Sequence, residues 1–147
     1  MYNRILVPLE HSEYDDAIIT HVRELALFCK ASVVFIHVAD GWAARNQQQL
    51  ALSESAEMKD DREYIEAQTD TLEESGLAVE CILAGGDPAS EIAAAVLREK
   101  CDLVAMSTHG HKGVQDLIRG SVANEVRHRV TVPVLMVRGV PRRLRQA

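Results

Sequence analysis

Apolar positions gather in five short runs: "RILVPLE" at residues 4–10, "SVVFIHV" at 32–38, "AVECILA" at 78–84, "DLVAMS" at 102–107 and "PVLMVR" at 133–138. Most are apolar at successive positions, not alternate ones. This predicts strands buried on both faces, as in a parallel sheet covered by helices. Between the runs the apolar spacing changes to three and four. Ile18, Val22, Leu25 and Cys29 predict a helix after the first strand. Ser12, with Asp15 three residues on, has capping-box spacing at its start. The segment 46–75 is polar and rich in Gln, Glu and Asp, and Met58, Ile65 and Leu72 give it a thin apolar stripe, so a surface helix is expected. Asp87 and Pro88 read as N-cap and first position of a third helix. Its expected buried face is Ile92, Ala93, Val96 and Leu97. The last helix is expected to begin after Gly120-Ser121, with Val122, Ala123, Val126 and Val130 inward. Pro133 then opens the final strand, where a missing N–H is tolerated.

Strands alternating with helices predict an α/β domain, an open parallel five-stranded sheet with right-handed crossovers and helices on both faces. No internal repeat, low-complexity tract or interdomain linker interrupts the 147 residues, a length that fits one domain. The expected division is a domain over 1–140 and a basic tail over 141–147. Residues 40–57 are expected to be the most mobile stretch. Trp42 there either caps the core or lies at the surface.

Composition narrows the function. Residues are 47% hydrophobic but only 4% aromatic, so aliphatic side chains must build the core. No run approaches the ~20 apolar residues of a membrane span, and the N-terminus lacks a cleavage-site pattern. Cys29, Cys81 and Cys101 form no CxxC pair, which argues for buried thiols in a reducing compartment, the cytoplasm. Net charge is −6, but the first hundred residues carry 8 basic against 19 acidic groups, while the rest carry 8 against 3. A nucleic-acid binder would be basic overall and carry a recognisable module. The split favours a small anionic ligand facing the C-terminal third.

Ligands on such sheets sit at the C-terminal ends of strands. There the chain has neither a GxxxxGK[ST] phosphate loop nor GxGxxG, and no GxSxG elbow. His109 and His111 have no metal-spaced partners, and zinc sites need three or four ligands, so no metal site is expected. The stretch "MSTHGHKGVQDLIRGS" (106–121) remains. Gly110 permits close backbone approach. Gly120-Ser121, read as a helix start, would offer free N–H groups to an anion. Ser121 caps the helix, contacts phosphate, or both.

These residues resemble the universal stress protein family over essentially the whole chain. "ILVPLEHS", "HVAD" and "GDPASEI" are similar to its strand ends and its turn into the third helix. Ser107-x2-Gly110-x9-Gly120-Ser121 resembles its ATP-loop pattern, G-x2-G-x9-G-[ST]. The resemblance implies a Rossmann-like sheet in the order 3-2-1-4-5, a homodimer through the last strand (Pro133 to Arg138), and bound ATP, with Mg or Mn bridging phosphates. By position, Pro8, Glu10 and Val38 would line the adenine and ribose side. Met106, Ser107, Thr108, His109, Gly110, His111, Lys112, Gly120, Ser121 and Val122 would line the phosphate side. Two positions depart from the pattern: Glu10 stands for Asp, one methylene longer, and Ser107 for the first glycine. The implied function is an ATP-binding regulator of the stress response without efficient catalysis. The alternatives are a slow ATP hydrolase, with His109, His111 and Glu10 as unfixed candidates, and a dimeric adaptor that binds no nucleotide. Neither nucleic acid nor membrane is expected as a partner.

Overall fold

Successive apolar residues need cover on two sides, and a central strand supplies both. A computed structural model describes residues 1–39, 56–109 and 114–139. Among them the chain runs β1 (Arg4–Pro8), α1 (Asp15–Cys29), β2 (Ser32–Ala39), α2 (Ala56–Glu73), β3 (Val79–Gly85), α3 (Pro88–Arg98), β4 (Leu103–His109), α4 (Val114–Arg129) and β5 (Val134–Gly139). The strands form one sheet in the order β3-β2-β1-β4-β5. Every pairing is parallel, with Ile5 opposite both Val33 and Leu103. The fold class and strand order are those expected.

The period of two along each strand sorts the core into two layers. Ile5, Val7, Val33 and Phe35 pack with Ile18 and Val22 of α1 and with Ile65 and Leu72 of α2. Leu6, Val34, Ile36 and Val104 face the other way, onto Ile92 and Val96 of α3 and Val126 of α4. The central strands are the most enclosed, while the edge strand β5 exposes alternate residues. At the N-terminal end of the sheet, Asp102 accepts from Asn3 N and Arg4 N. The Arg4 guanidinium spans Ser32, Glu80 and the Glu99 carbonyl. These contacts bind β1 to both neighbours at the end away from the cleft.

Three local expectations change. The Asp87 N-cap holds, its carboxylate accepting from Ser90 N at 3.0 Å, with Pro88 next. However, Leu97 is 78% exposed, and Ala89 and Ala95 complete the buried face instead. Leu97 lies one residue, about 100°, beyond the stripe through Ile92 and Val96. At the start of α1, Asp15 reaches back to Ser12 N as a capping-box acid does, but the Ser12 hydroxyl accepts from Tyr14 N. Finally, α4 begins at Val114, not after Gly120-Ser121. Nothing from Val114 to Arg119 bars a helix, and an interior glycine costs only about 1 kcal/mol. The free N–H groups of that helix therefore belong to its Val114 end.

Residues 40–55, with Trp42, and 140–147, with the expected tail, lie outside the described residues. No helix among the described residues is long and apolar enough to cross a membrane.

Candidate functional site

In this strand order the chain turns one way from β1 to β2 and the other way to β4. The C-terminal ends of these strands therefore splay apart, and helices cover opposite faces on either side of the gap. A cleft of about 320 Å³ opens there, lined by Pro8, Leu9, Glu10, Ile36, His37, Val38, Pro88, Ile92, Met106, Ser107 and Val122. Its size is at the lower end for small-molecule pockets, roughly 300–1,000 Å³.

Six expected site residues meet in this lining: Pro8, Glu10, Val38, Met106, Ser107 and Val122. Thr108 and His109 end β4, paired with Arg138 and Gly139 of β5, and Thr108 is not in the lining. Gly110, His111 and Lys112 lie outside the described residues, as do the side chains of His109 and Ser121. Gly120 and Ser121 fall inside α4. Sequence reasoning missed Leu9, Ile36, His37, Pro88 and Ile92 as lining. The available signal was Pro88 and Ile92 four apart on a helix that starts at a strand end.

The loop after β1 is held from below. Asp15 is fully buried. Its carboxylate accepts from Glu10 N at 3.0 Å, His11 N at 2.9 Å and Ser12 N at 3.3 Å. The Tyr64 hydroxyl of α2 donates to it at 2.6 Å. A buried carboxylate is tolerable only with such a set of donors. It fixes where Glu10 enters the cleft. His11 takes a left-handed φ of 61°, uncommon outside glycine, although histidine adopts it more readily than most residues. Its ring stacks on Tyr64 with centroids 4.0 Å apart.

His37 ties the loop to β2. Its Nδ1 donates to the Leu9 carbonyl at 2.8 Å, and Leu9 N donates to the Ile36 carbonyl at 2.8 Å. On the α2 side the cleft adjoins a more open hollow of about 460 Å³, which shares Glu10, His37 and Val38 and adds His11, Glu57, Asp60 and Asp61. No group of three or more His, Cys, Asp or Glu among the described residues is arranged to hold a metal.

Ser107 carries the one buried side-chain polar atom without a hydrogen-bond partner among the described residues. Its hydroxyl lies beside Gly139 and Tyr14: a Cβ added at Gly139 would stand 2.8 Å from Ser107 Oγ and 2.9 Å from Tyr14 Cβ. Ser107 replaces the glycine of the expected motif, and the absence of a side chain at Gly139 leaves room for it.

An open parallel sheet with a cleft at its switch point defines the doubly wound α/β class, whose ligands bind at that point. The chain belongs to the universal stress protein family, whose sequence profile matches residues 1–138. It is 27% identical to the universal stress protein MJ0577 of Methanocaldococcus jannaschii, with 94% of this chain and 96% of that protein aligned. The solved structure of MJ0577 superposes with a TM-score of 0.75 at 26% identity, covering 95% of this chain and 98% of that one. Two more distant structures share the fold. A universal stress protein in complex with cAMP is 17% identical with TM-score 0.72, covering 95% and 99%. A universal stress protein from Archaeoglobus fulgidus in complex with dAMP is 16% identical with TM-score 0.69, covering 92% and 98%.

Proposed function

We propose that this protein binds an adenine nucleotide in the switch-point cleft and acts as a nucleotide-responsive regulator of the stress response. The observation that carries the reading is the cleft itself. Apolar faces from Ile36, Val38, Ile92, Met106 and Val122 close around it, and Glu10 stands at its rim. Such walls suit a flat base, and a carboxylate suits the hydroxyls of a ribose. Two proteins of the same fold carry cAMP and dAMP in their solved complexes, which supports an adenine ligand here. ATP is the proposed ligand. The phosphates would extend toward the stretch from Ser107 to Lys112 and toward Gly120 to Val122. Mg or Mn would ride on phosphate oxygens and water, the usual mode for such hard cations.

The proposed role is binding rather than turnover. Efficient phosphoryl transfer needs a group that orients the nucleophile and placed positive charge, and none of the described cleft residues is fixed in that role. We further propose a cytoplasmic homodimer joined through β5, with a domain over 1–140 and a basic tail over 141–147. β5 lies at the edge of the sheet and exposes Met136 to 42%, which supports pairing there.

The test is calorimetry with ATP, ADP and cAMP, alongside a mass spectrum of small molecules released from denatured protein. Val122→Phe pushes a ring into the cleft from α4 and should abolish binding without unfolding the chain. Equal ATP affinity in wild type and variant would exclude this cleft. Turnover at a typical enzymatic rate, about 1–1,000 per second, would exclude the regulatory reading.

A further inference from the structure

Asp61, in the second turn of α2, has a side chain only 10% exposed. A carboxylate in that setting needs partners, and it has two imidazoles. It accepts from His11 Nδ1 at 2.7 Å through one oxygen. Its other oxygen lies 3.4 Å from His37 Nε2. The second nitrogen of His37, Nδ1, faces the Leu9 carbonyl at 2.8 Å. A carbonyl can only accept, and so can an ionised carboxylate. His37 thus stands between the two, its Nδ1 donating to the Leu9 carbonyl and its Nε2 edge facing Asp61.

Building on the nucleotide reading above, we propose that Asp61 is a positioning residue for the cleft. Through His37 and His11 it holds the ends of β1 and β2 in place, so the seating of α2 and nucleotide binding are coupled.

The geometry gives this link its direction. Leu9, Glu10, His37 and Val38 line the cleft, whereas Asp61 lines only the adjoining hollow. Asp61 thus acts through other residues. It steadies the ring of His37, whose opposite nitrogen fixes the Leu9 carbonyl one residue before Glu10. It also holds His11, whose left-handed backbone follows Glu10 directly. Tyr64, one turn further along α2, stacks on that same His11 ring and donates to Asp15. Without α2 the loop would lose the Asp61 contact, the stacking partner and one of the donors to Asp15.

Among the described residues, the groups facing this network are Glu10 and Asp15 from the β1 exit loop and Glu57 and Asp60 from α2, with Asp60 Oδ2 3.9 Å from His11 Nε2.

The experiment uses the full chain, with ATP as probe, in wild-type, Asp61→Asn and His37→Asn forms. Affinity is measured near neutral pH, and amide hydrogen exchange is followed without ligand. Asp61→Asn should bind about fivefold or more weakly, within the usual range for coupled sites, and its Glu10 and His11 amides should exchange faster. His37→Asn keeps an amide donor where Nδ1 stood but loses the edge that faces Asp61, so it should fold normally, bind more weakly than wild type and lose less on the further change Asp61→Asn. An Asp61→Asn protein matching wild type in affinity and exchange would overturn this proposal alone. A wild type that binds no ATP would overturn both this proposal and the nucleotide reading.

Discussion

Gly139→Ala tests the packing beside Ser107. The new methyl would sit 2.8 Å from Ser107 Oγ, 2.9 Å from Tyr14 Cβ and 3.0 Å from Tyr14 Cδ1. Carbon atoms prefer about 3.5–4.0 Å, so each contact is too close by half an ångström or more on that scale. Relief is limited. Tyr14 Cβ belongs to the residue that caps α1, and Gly139 sits in β5 opposite His109. Overpacking of this kind costs about 1–3 kcal/mol. Reduced freedom of the unfolded chain returns about 0.4–1 kcal/mol on replacing glycine. The two ranges leave a net loss of about 0–2.6 kcal/mol, about 1.3 kcal/mol at their midpoints. With a urea m-value near 2 kcal/mol/M, that midpoint value lowers the unfolding midpoint by about 0.6 M. Ser107→Ala alone should not destabilise and should raise the midpoint slightly, because it removes a buried hydroxyl with no partner among the described residues. Combined with Gly139→Ala, it should recover part of the loss, the Tyr14 contacts remaining. A Gly139→Ala midpoint equal to wild type would refute the packing argument. A clear loss from Ser107→Ala would show that its hydroxyl is hydrogen-bonded in solution.

Burial pushes the Cys101 thiol up to about 11, against a smaller opposing effect of Arg4. Iodoacetamide at about pH 8 should therefore label Cys29 and Cys81 in folded protein and reach Cys101 only after denaturation, as peptide mass mapping would show. Burial raises the Asp102 carboxyl, but hydrogen bonds from Arg4 N, Asn3 N and the Asn3 amide outweigh it and leave it below the ordinary carboxylate value. Its stabilising contribution is then present above about pH 4 and lost as pH falls further. Asp102→Asn should be less stable than wild type near neutrality, and the gap in urea midpoint should close in acid. For the β5 dimer, Leu135 packs toward the core, so Met136→Lys is the cleaner probe. Sedimentation should show a wild-type dimer at micromolar concentration and a weakened one in the variant; a monomeric wild type would exclude the edge pairing.

The sheet was legible because burial on two faces leaves a local mark. "VVFI" in β2 is apolar at every position because Val33 and Phe35 face α1 and α2, while Val34 and Ile36 face α3 and α4. The Asp87-Pro88 start of α3 was legible for a similar reason, since an N-cap and its first turn are neighbours in sequence. Helix faces were read less well where one residue decides the angle, as Leu97 shows. The start of α4 was misplaced because Gly120-Ser121 has the composition of a helix entry but not the context of one.

The cleft was half legible. Pro8, Glu10, Val38, Met106, Ser107 and Val122 follow strand ends or a family pattern, and both are linear signals. What holds them is not linear. Asp15 looked like half of a local cap, and it does bond Ser12 N, but it also accepts a hydrogen bond from the Tyr64 hydroxyl, 49 residues away. Asp61 meets His11 across 50 residues. On a helix wheel Asp61 reads as a polar break in the stripe formed by Met58, Ile65 and Leu72, yet it is buried. A carboxylate can occupy a core-facing position only if its partners arrive from another element. Such positions look like errors in an apolar pattern until the fold brings the partners in. The two buried acids among the described residues, Asp15 and Asp61, both support the loop that carries Glu10.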